Sequence, residues 1–386
     1  MIPYGRQTIS DADIQAVVDV LHSDFLTQGP VVPKFESVIA SYCQAQYAIA
    51  TNSATSALHL ACMALGVKPG DVVWTSPITF VASANCARYC GAAVDFVDID
   101  PQTYNLSVEG LADKLQEAER IGRLPKVVIP VHLCGQSCDM DAIHELSKRY
   151  AFKIVEDASH AIGGRYKDEP IGNCKYSDIT IFSFHPVKII TTGEGGMALT
   201  NDPGLAKHMQ ELRSHGITRE VADMTGPPDG PWYYQQLSLG FNYRITDIQA
   251  ALGLSQFQKL DEFVTARHQI AKRYNELFGK LPIVIPFQHP DSYSAMHLYV
   301  IRLKLDEIQR THTQVFEAMR CAGVAVNLHY IPLYRQPYYR QFGYVYDDFP
   351  NAEKYYAEAI SLPIYPALTE MQQEKVFDSI RTALDS

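Results

Sequence analysis

One lysine in this chain sits among hydroxyls and glycines. Lys188 lies in Ser183-Phe-His-Pro-Val-Lys-Ile-Ile-Thr-Thr-Gly-Glu-Gly-Gly196, directly after the apolar run Asp178-Ile-Thr-Ile-Phe182. Upstream, the apolar pair Ile154-Val155 ends in Glu156-Asp157-Ala-Ser-His160. A lysine amine at a strand-to-loop edge can condense with an aldehyde, a strand-end carboxylate can hold a protonated pyridine nitrogen, and hydroxyls can bind a phosphate. Pyridoxal 5'-phosphate (PLP) needs those three capacities in one place.

Each anchor also has an ordinary reading. Asn52-Ser-Ala-Thr-Ser56 stands between a predicted strand and a predicted helix, so its amides and hydroxyls offer an anion site at a helix N-terminus. The same residues serve equally as a plain N-cap. Asp157 ends a buried run, where an unpaired charge would be costly, and a pyridinium would pair it. Glu156 reads as a solvated strand-end carboxylate. Lys188 becomes nucleophilic if its ammonium is desolvated or lies near positive charge. Thr191, Thr192, Gly193, Gly195 and Gly196 leave room for close backbone approach to a planar ring. Most lysines are surface residues, so the joint pattern carries the reading.

Elements that could position these groups alternate from residue 47 to about 200. Predicted strands are Tyr47 to Thr51, Val72 to Ser76, Val94 to Val97, Val127 to Val131, Lys153 to Glu156, Ile179 to Phe182 and Met197 to Leu199. Predicted helices are Ala54 to Leu65, Phe80 to Cys90, Val108 to Ala118 and Met140 to Tyr150. Unbroken Val/Ile/Ala runs separated by helices predict crossover units on a mostly parallel sheet, in an α/β fold. Ligands of such sheets sit beyond the carboxyl ends of the strands, where Ser53 to Ser56, Thr79, Phe80, Asp157, Ser183 and Lys188 all fall. After Thr246, apolar spacing of three and four predicts one long helix reaching Leu277. The remainder, with Leu298 to Leu305, Gln314 to Ala322 and Val324 to Val326, predicts a smaller α+β domain. The expected division is residues 1–255, including an N-terminal segment 1–30 near the site, and residues 256–386. Residues 225–231, rich in Gly and Pro, predict a loop.

At 386 residues the chain exceeds one ordinary core, and 47% apolar with 20% charged residues describes a globular protein. The net charge of −10 argues against nucleic-acid binding. Neither a leader pattern nor a run approaching the about 18 apolar residues of a membrane span is visible, so a cytoplasmic protein is expected. In that compartment eight scattered cysteines predict no disulfide framework. Cys86/Cys90 and Cys134/Cys138 lack the further ligands of a zinc site, so no metal is expected.

Over essentially its full length the sequence resembles the nucleotide-sugar aminotransferases of the aspartate-aminotransferase fold (PLP fold type I). The likeness rests on Asn52-Ser-Ala-Thr55, Glu156-Asp157-Ala-Ser-His-Ala161, Ser183-Phe184 with Lys188, Thr192-Gly-Glu-Gly-Gly196, Gly240-Phe-Asn-Tyr-Arg244 and Asp247-Ile-Gln-Ala-Ala-Leu-Gly253. It implies that Lys188 carries the cofactor and Asp157 faces its pyridine nitrogen. It places His160 near the ring, Phe80 stacked on it, and Ala54, Thr55, Ser56 and Ser183 about the phosphate. Asn242 matches a residue supplied by a neighbouring subunit, which implies a homodimer with composite sites.

Within the family the likeness extends to transaminases acting on UDP-4-keto-6-deoxy-HexNAc sugars on the way to pseudaminic acid. It is carried by Tyr4, Ser23-Asp-Phe-Leu-Thr-Gln-Gly29, Phe184-His185, Lys188 to Thr192 and Asn327-Leu-His-Tyr330. Tyr4, Asp24, Phe25, Leu26, Thr27, Ala54, Ser183, Asn242, Asn327, Leu328, His329 and Tyr330 would then touch the sugar nucleotide. The tyrosines among them could equally be packing residues in a chain with 23 of them, and His329 a loop histidine. Pro186 departs from the small residue usual at its position. The implied reaction moves an amino group from an amino acid, with glutamate the expected donor, to sugar C4. Three rivals remain: transfer to another nucleotide keto-sugar (dTDP- or GDP-linked, at C3 or C4), sugar 3-dehydration, and PLP binding without turnover. Dehydration is disfavoured because Lys188 stands where those enzymes have His. A nicotinamide-binding Rossmann protein is disfavoured too, since no G-x-G-x-x-G follows the first strand.

Overall fold

Apolar runs too short for helices become the strands of a seven-stranded sheet in the computed structural model, which describes residues 1–385. The strands are β1 (Tyr47–Thr51), β2 (Val72–Thr75), β3 (Ala93–Phe96), β4 (Val127–Ile129), β5 (Lys153–Asp157), β6 (Ile179–Ser183) and β7 (Gly196–Thr200). Their order is β1-β7-β6-β5-β4-β2-β3. From β6 to β3 every pairing is parallel, while β7 runs antiparallel to both β6 and β1. The architecture is the expected α/β one, with a mostly parallel mixed sheet between helices. Val155, Ile179, Ile181 and Ala198 are fully buried in the core on the face that packs against Ala57, Leu60 and Ala61. Burial on both faces is why these strands read as unbroken apolar runs.

The stretch after Thr246 differs from expectation. Thr246 caps a helix, Asp247–Phe257, through a reciprocal bond set with Gln249, and a second helix, Leu260–Phe278, follows. No glycine or proline breaks the pattern at Gln258-Lys259. Contacts from elsewhere hold the turn: Lys259 Nζ meets Asp13 Oδ2 at 2.6 Å, and Gln256 Nε2 donates to Asp13 Oδ2 at 2.8 Å and to the Thr8 carbonyl at 2.9 Å. A second core gathers Tyr299, Ile301, Val315, Ile360, Val376 and Ile380 around a three-stranded sheet of Ile283–Val284, Tyr299–Leu303 and Ala359–Leu362. Leu260, Phe263 and Val264 pack with the sheet-side core, whereas Ile270, Tyr274 and Phe278 pack with the second one. We propose that two units divide along this helix. No described helix is long and apolar enough to cross a membrane.

Asp13 gives the fold an acid-sensitive joint. Burial would raise its carboxyl, but bonds from Lys259, Ser255 and Ser10 outweigh burial and hold it at about 2. A group with a depressed folded pKa stabilises above its unfolded value and loses that contribution as pH falls through the folded one. The window therefore runs from about pH 4 down to about pH 2, and the contribution at neutral pH is roughly 2 kcal/mol. Denaturant melts of Asp13→Ala should show that loss at pH 7 and a flatter stability curve below pH 4.

Candidate active site

Several strand ends open on one cavity of ≈ 960 Å³. Its lining includes Ser53, Ala54, Thr55 and Ser56 after β1, Asp157 and His160 after β5, and Ser183 and Lys188 after β6. The exposed Phe80 also lines it, with its ring centroid 6.2 Å from that of Tyr330, as do Tyr4, Asn327, Leu328 and His329. Groups far apart in sequence meet because parallel strands bring their carboxyl ends to the same edge.

Asp157 is buried and held by three donors. Ser83 Oγ donates to Oδ2 at 2.6 Å, while the Ser159 amide and hydroxyl donate to Oδ1 at 3.1 and 2.5 Å. Thr79 Oγ1 in turn lies 2.8 Å from Ser83 Oγ, and must donate because Ser83 has committed its proton. A carboxylate accepts about four hydrogen bonds, so one position is left for a protonated ring nitrogen.

Glu156 is not the solvated carboxylate that the sequence suggested. It is buried, because alternation along β5 turns it to the other face of the sheet. There it meets His132 Nε2 at 2.7 Å and accepts from Ser177 and Thr180.

Lys188 lines the cavity, half-buried, at the end of a turn in which its amide donates to the His185 carbonyl at 2.9 Å. Pro186 occupies the second position of that turn, where proline is favoured, and no amide is needed from it. Burial lowers the lysine pKa to about 8, against the opposing pull of Asp157. The amine is thus poised between its two protonation states near neutrality.

At the other end of the cavity the Ala54–Ala64 helix begins. Ser53 Oγ caps it through the Ser56 amide at 3.1 Å, so the N-cap reading holds. The first-turn amides of Ala54 and Thr55 still have no acceptor within the helix, and both residues line the cavity with Ser183 and with Ser56, whose hydroxyl donates to Asn52 Oδ1 at 2.6 Å. Gly196 lets β7 lie against this helix start, since a Cβ there would stand 2.4 Å from the Ala54 nitrogen. The glycine serves helix-to-strand approach, while Thr191 and Thr192 spend their hydroxyls on the carbonyls of Phe184 and Glu194. An anion site, a part-filled carboxylate and a lysine amine on one cavity fit PLP.

Two histidines of the site resist protonation. Burial first, then the positive charge of Lys188, depresses His160 well below its ordinary value and His329 to about 4. His160 Nε2 lies 3.2 Å from the Tyr330 hydroxyl, and His329 Nδ1 2.8 Å from Ser361 Oγ. His329 is therefore a buried, partnered residue. Tyr4 reaches the site because the N-terminal segment is tied to the second unit: Ile2 bridges Val324, and the Ile364 amide donates to the Tyr4 carbonyl at 3.0 Å.

Five expected residues do not line this chain's cavity. Asp24, Phe25, Leu26 and Thr27 are exposed on a loop fastened elsewhere. Asp247 fastens that loop, accepting from the amides of Gly29, Val31 and Val32 while its own amide donates to the Leu26 carbonyl. Asn242 is also exposed; it bridges Ser214, and its carbonyl accepts from Asn52 Nδ2 at 3.5 Å. Conversely, His185, Glu194, Gln249 and His297 line the cavity and were not read as site residues. The first two adjoin the lysine motif and were open to detection. His297 follows Ser294-Ala-Met296, which carries no local signal.

Known proteins resemble this chain along its length. A profile of the DegT/DnrJ/EryC1/StrS aminotransferase family matches residues 7–381. The UDP-4-amino-4,6-dideoxy-N-acetyl-beta-L-altrosamine transaminase of Campylobacter jejuni is 37% identical over 388 residues, covering 100% of this chain and 98% of its own. GDP-perosamine synthase of Caulobacter vibrioides is 36% identical over 92% of this chain and 91% of its own. Among solved structures, Helicobacter pylori PseC, an aminotransferase of pseudoaminic acid biosynthesis, superposes with a TM-score of 0.90 at 29% identity, covering 100% of this chain and 99% of its own. The PLP form of Streptococcus pneumoniae Spr1654 gives 0.89 at 30% identity, covering 100% and 98%. The chain belongs to the DegT/DnrJ/EryC1/StrS aminotransferase family and is a PLP-dependent nucleotide-sugar transaminase of fold type I.

Proposed function

We propose that the chain moves an amino group from an amino acid, glutamate in the first instance, to C4 of a UDP-linked 4-keto-6-deoxy-HexNAc sugar, in pseudaminic acid biosynthesis. The observation that carries this reading is the meeting of Lys188 and Asp157 with Tyr4 and the Asn327–Tyr330 segment on one cavity. Its supports are that arrangement and the full-length likeness to the C. jejuni transaminase.

PLP, when bound, supplies an electron sink for carbon–hydrogen bond cleavage next to nitrogen. Asp157 would hold its pyridine nitrogen protonated, Ser56, Ser183 and the amides of Ala54 and Thr55 its phosphate, and Phe80 one face of its ring. Lys188 Nζ would take up and return a proton at the substrate carbon, which its position near both protonation states suits. Asn327, His329 and Tyr330 would orient the sugar, and Tyr4 would cover it. The exposed Asn242 and the Asp24–Thr27 loop are proposed to serve the site of a second copy in a cytoplasmic homodimer.

Glutamate incubated with UDP-4-keto-6-deoxy-HexNAc should yield a 4-amino sugar by mass spectrometry; ketone recovered unchanged with active holoenzyme rejects the substrate. Donor and acceptor share one lysine-lined cavity, so keto acid leaves before the sugar reacts. Double-reciprocal plots should run parallel, and intersecting lines count against that order. The likeness to GDP-perosamine synthase supports a second reading, transfer to a GDP-linked keto-sugar, which the same assay separates.

A further inference from the structure

We propose that His297 is a positioning residue for amino transfer: its imidazole backs His160 and keeps the His160–Tyr330 pair in register on the cavity that Lys188 lines. The ring centroids of His160 and His297 stand 4.4 Å apart at 45°, the shortest ring contact that His160 makes, against 6.2 Å to Tyr330. Both histidines are at least nine-tenths buried and both line the cavity.

The backbone beneath His297 is fixed from two directions. Its amide donates to the Cys134 carbonyl at 2.9 Å, and its carbonyl accepts from Arg267 Nη1 at 3.1 Å. Arg267 is buried and also donates to the carbonyls of Met296 and Ile364. On the remaining side, Gly135 brings the 133–136 loop directly against both histidines. A Cβ at Gly135 would lie 2.9 Å from the His160 carbonyl oxygen, 3.0 Å from the Met296 nitrogen and 3.2 Å from the His297 nitrogen. The support is rigid, and it comes from outside the loop that carries His160.

No hydrogen bond joins the two rings. Nδ1 of each is buried without a partner among the described residues. The contact therefore rests on the shape and packing of the two rings. Burial first, then the nearness of His160, Lys188, Arg267 and His329, would oppose a proton on His297. Asp157 acts on Lys188 and Tyr330 instead. His297 therefore serves as an uncharged spacer, and an aromatic ring without nitrogen should replace it.

This inference rests on the aminotransferase reading, and the experiment separates the two. Holoenzymes carrying His297→Ala, His297→Gln or His297→Phe are compared for cofactor trapped at Lys188 by borohydride, for kcat and KM, and for the pH titration of the His160 imidazole by NMR. All are expected to trap cofactor. H297A and H297Q should lose roughly ten- to a hundredfold in kcat with little change in KM. Water entering beside His160 should also make it titrate at higher pH in those two variants. H297F should recover most of the wild-type kcat and keep His160 neutral to equally low pH. Wild-type kcat in H297A, or an H297F no better than H297Q, overturns the proposal, and the Phe–Gln comparison decides even if H297A does not fold. Absence of amino transfer by the wild-type holoenzyme would instead overturn the substrate reading and leave the His160 titration to judge His297.

Discussion

Lys188→Ala is expected to reduce amino transfer by at least about a thousandfold, since it removes the group proposed to carry a proton to and from the reacting carbon. The fold should survive, because the neighbouring Ile189 and Ile190 supply the buried contacts of that segment. Capture of added PLP by cofactor-free wild-type protein should also follow the amine's protonation. Burial holds that pKa near 8, so the neutral, nucleophilic form gains as pH rises through 8. The capture rate should climb with a midpoint near pH 8 in stopped-flow absorbance. A midpoint near the ordinary lysine value would place Lys188 in water and contradict the geometry. Retained turnover in the alanine variant would remove it from the chemistry.

The second large effect is expected at Asp157. Asp157→Asn keeps the shape and, with its one oxygen toward Ser159, the bonds from that residue, but removes the charge facing the proposed ring nitrogen and the acceptor for Ser83. Loss of one preorganised electrostatic contact of this kind costs about 10²–10³ in kcat, and a similar loss is expected here. Cofactor should dissociate more readily too, giving a holoenzyme that bleaches on dialysis while the wild type stays coloured. Unchanged kcat in the asparagine variant would mean that the carboxylate only organises Ser83, Thr79 and Ser159. Glu156→Gln is the internal comparison: that group lies on the opposite face of β5 with His132, and its loss should appear in stability with kcat nearly intact.

The contrast between those neighbours shows where sequence reading succeeds and where it stops. Asp157 and Lys188 were legible because one ends a strand rich in Val and Ile and the other lies in the loop just after such a strand, and strand ends are where such sheets place ligands. The strands at Tyr47–Thr51 and Val72–Thr75 and the helix at Met140–Tyr150 were legible for the same local reason. Glu156 was misread because its partner, His132, reaches it across the sheet from another strand end. The turn at Gln258-Lys259 escaped notice because Asp13, far away in the chain, makes it. The Asp24–Thr27 loop was assigned to the cavity by family likeness alone, and Asp247 holds it outside this chain's own. His297 carried no pattern; only packing against His160 and Arg267 brings it to the site.

The account depends most on where PLP attaches. Holoenzyme reduced with borohydride, digested and mapped by mass spectrometry should give one phosphopyridoxyl peptide, with the added mass on the lysine of Ser183-Phe-His-Pro-Val-Lys188. Label on another lysine, or none on protein shown by absorbance to hold the cofactor, would contradict it.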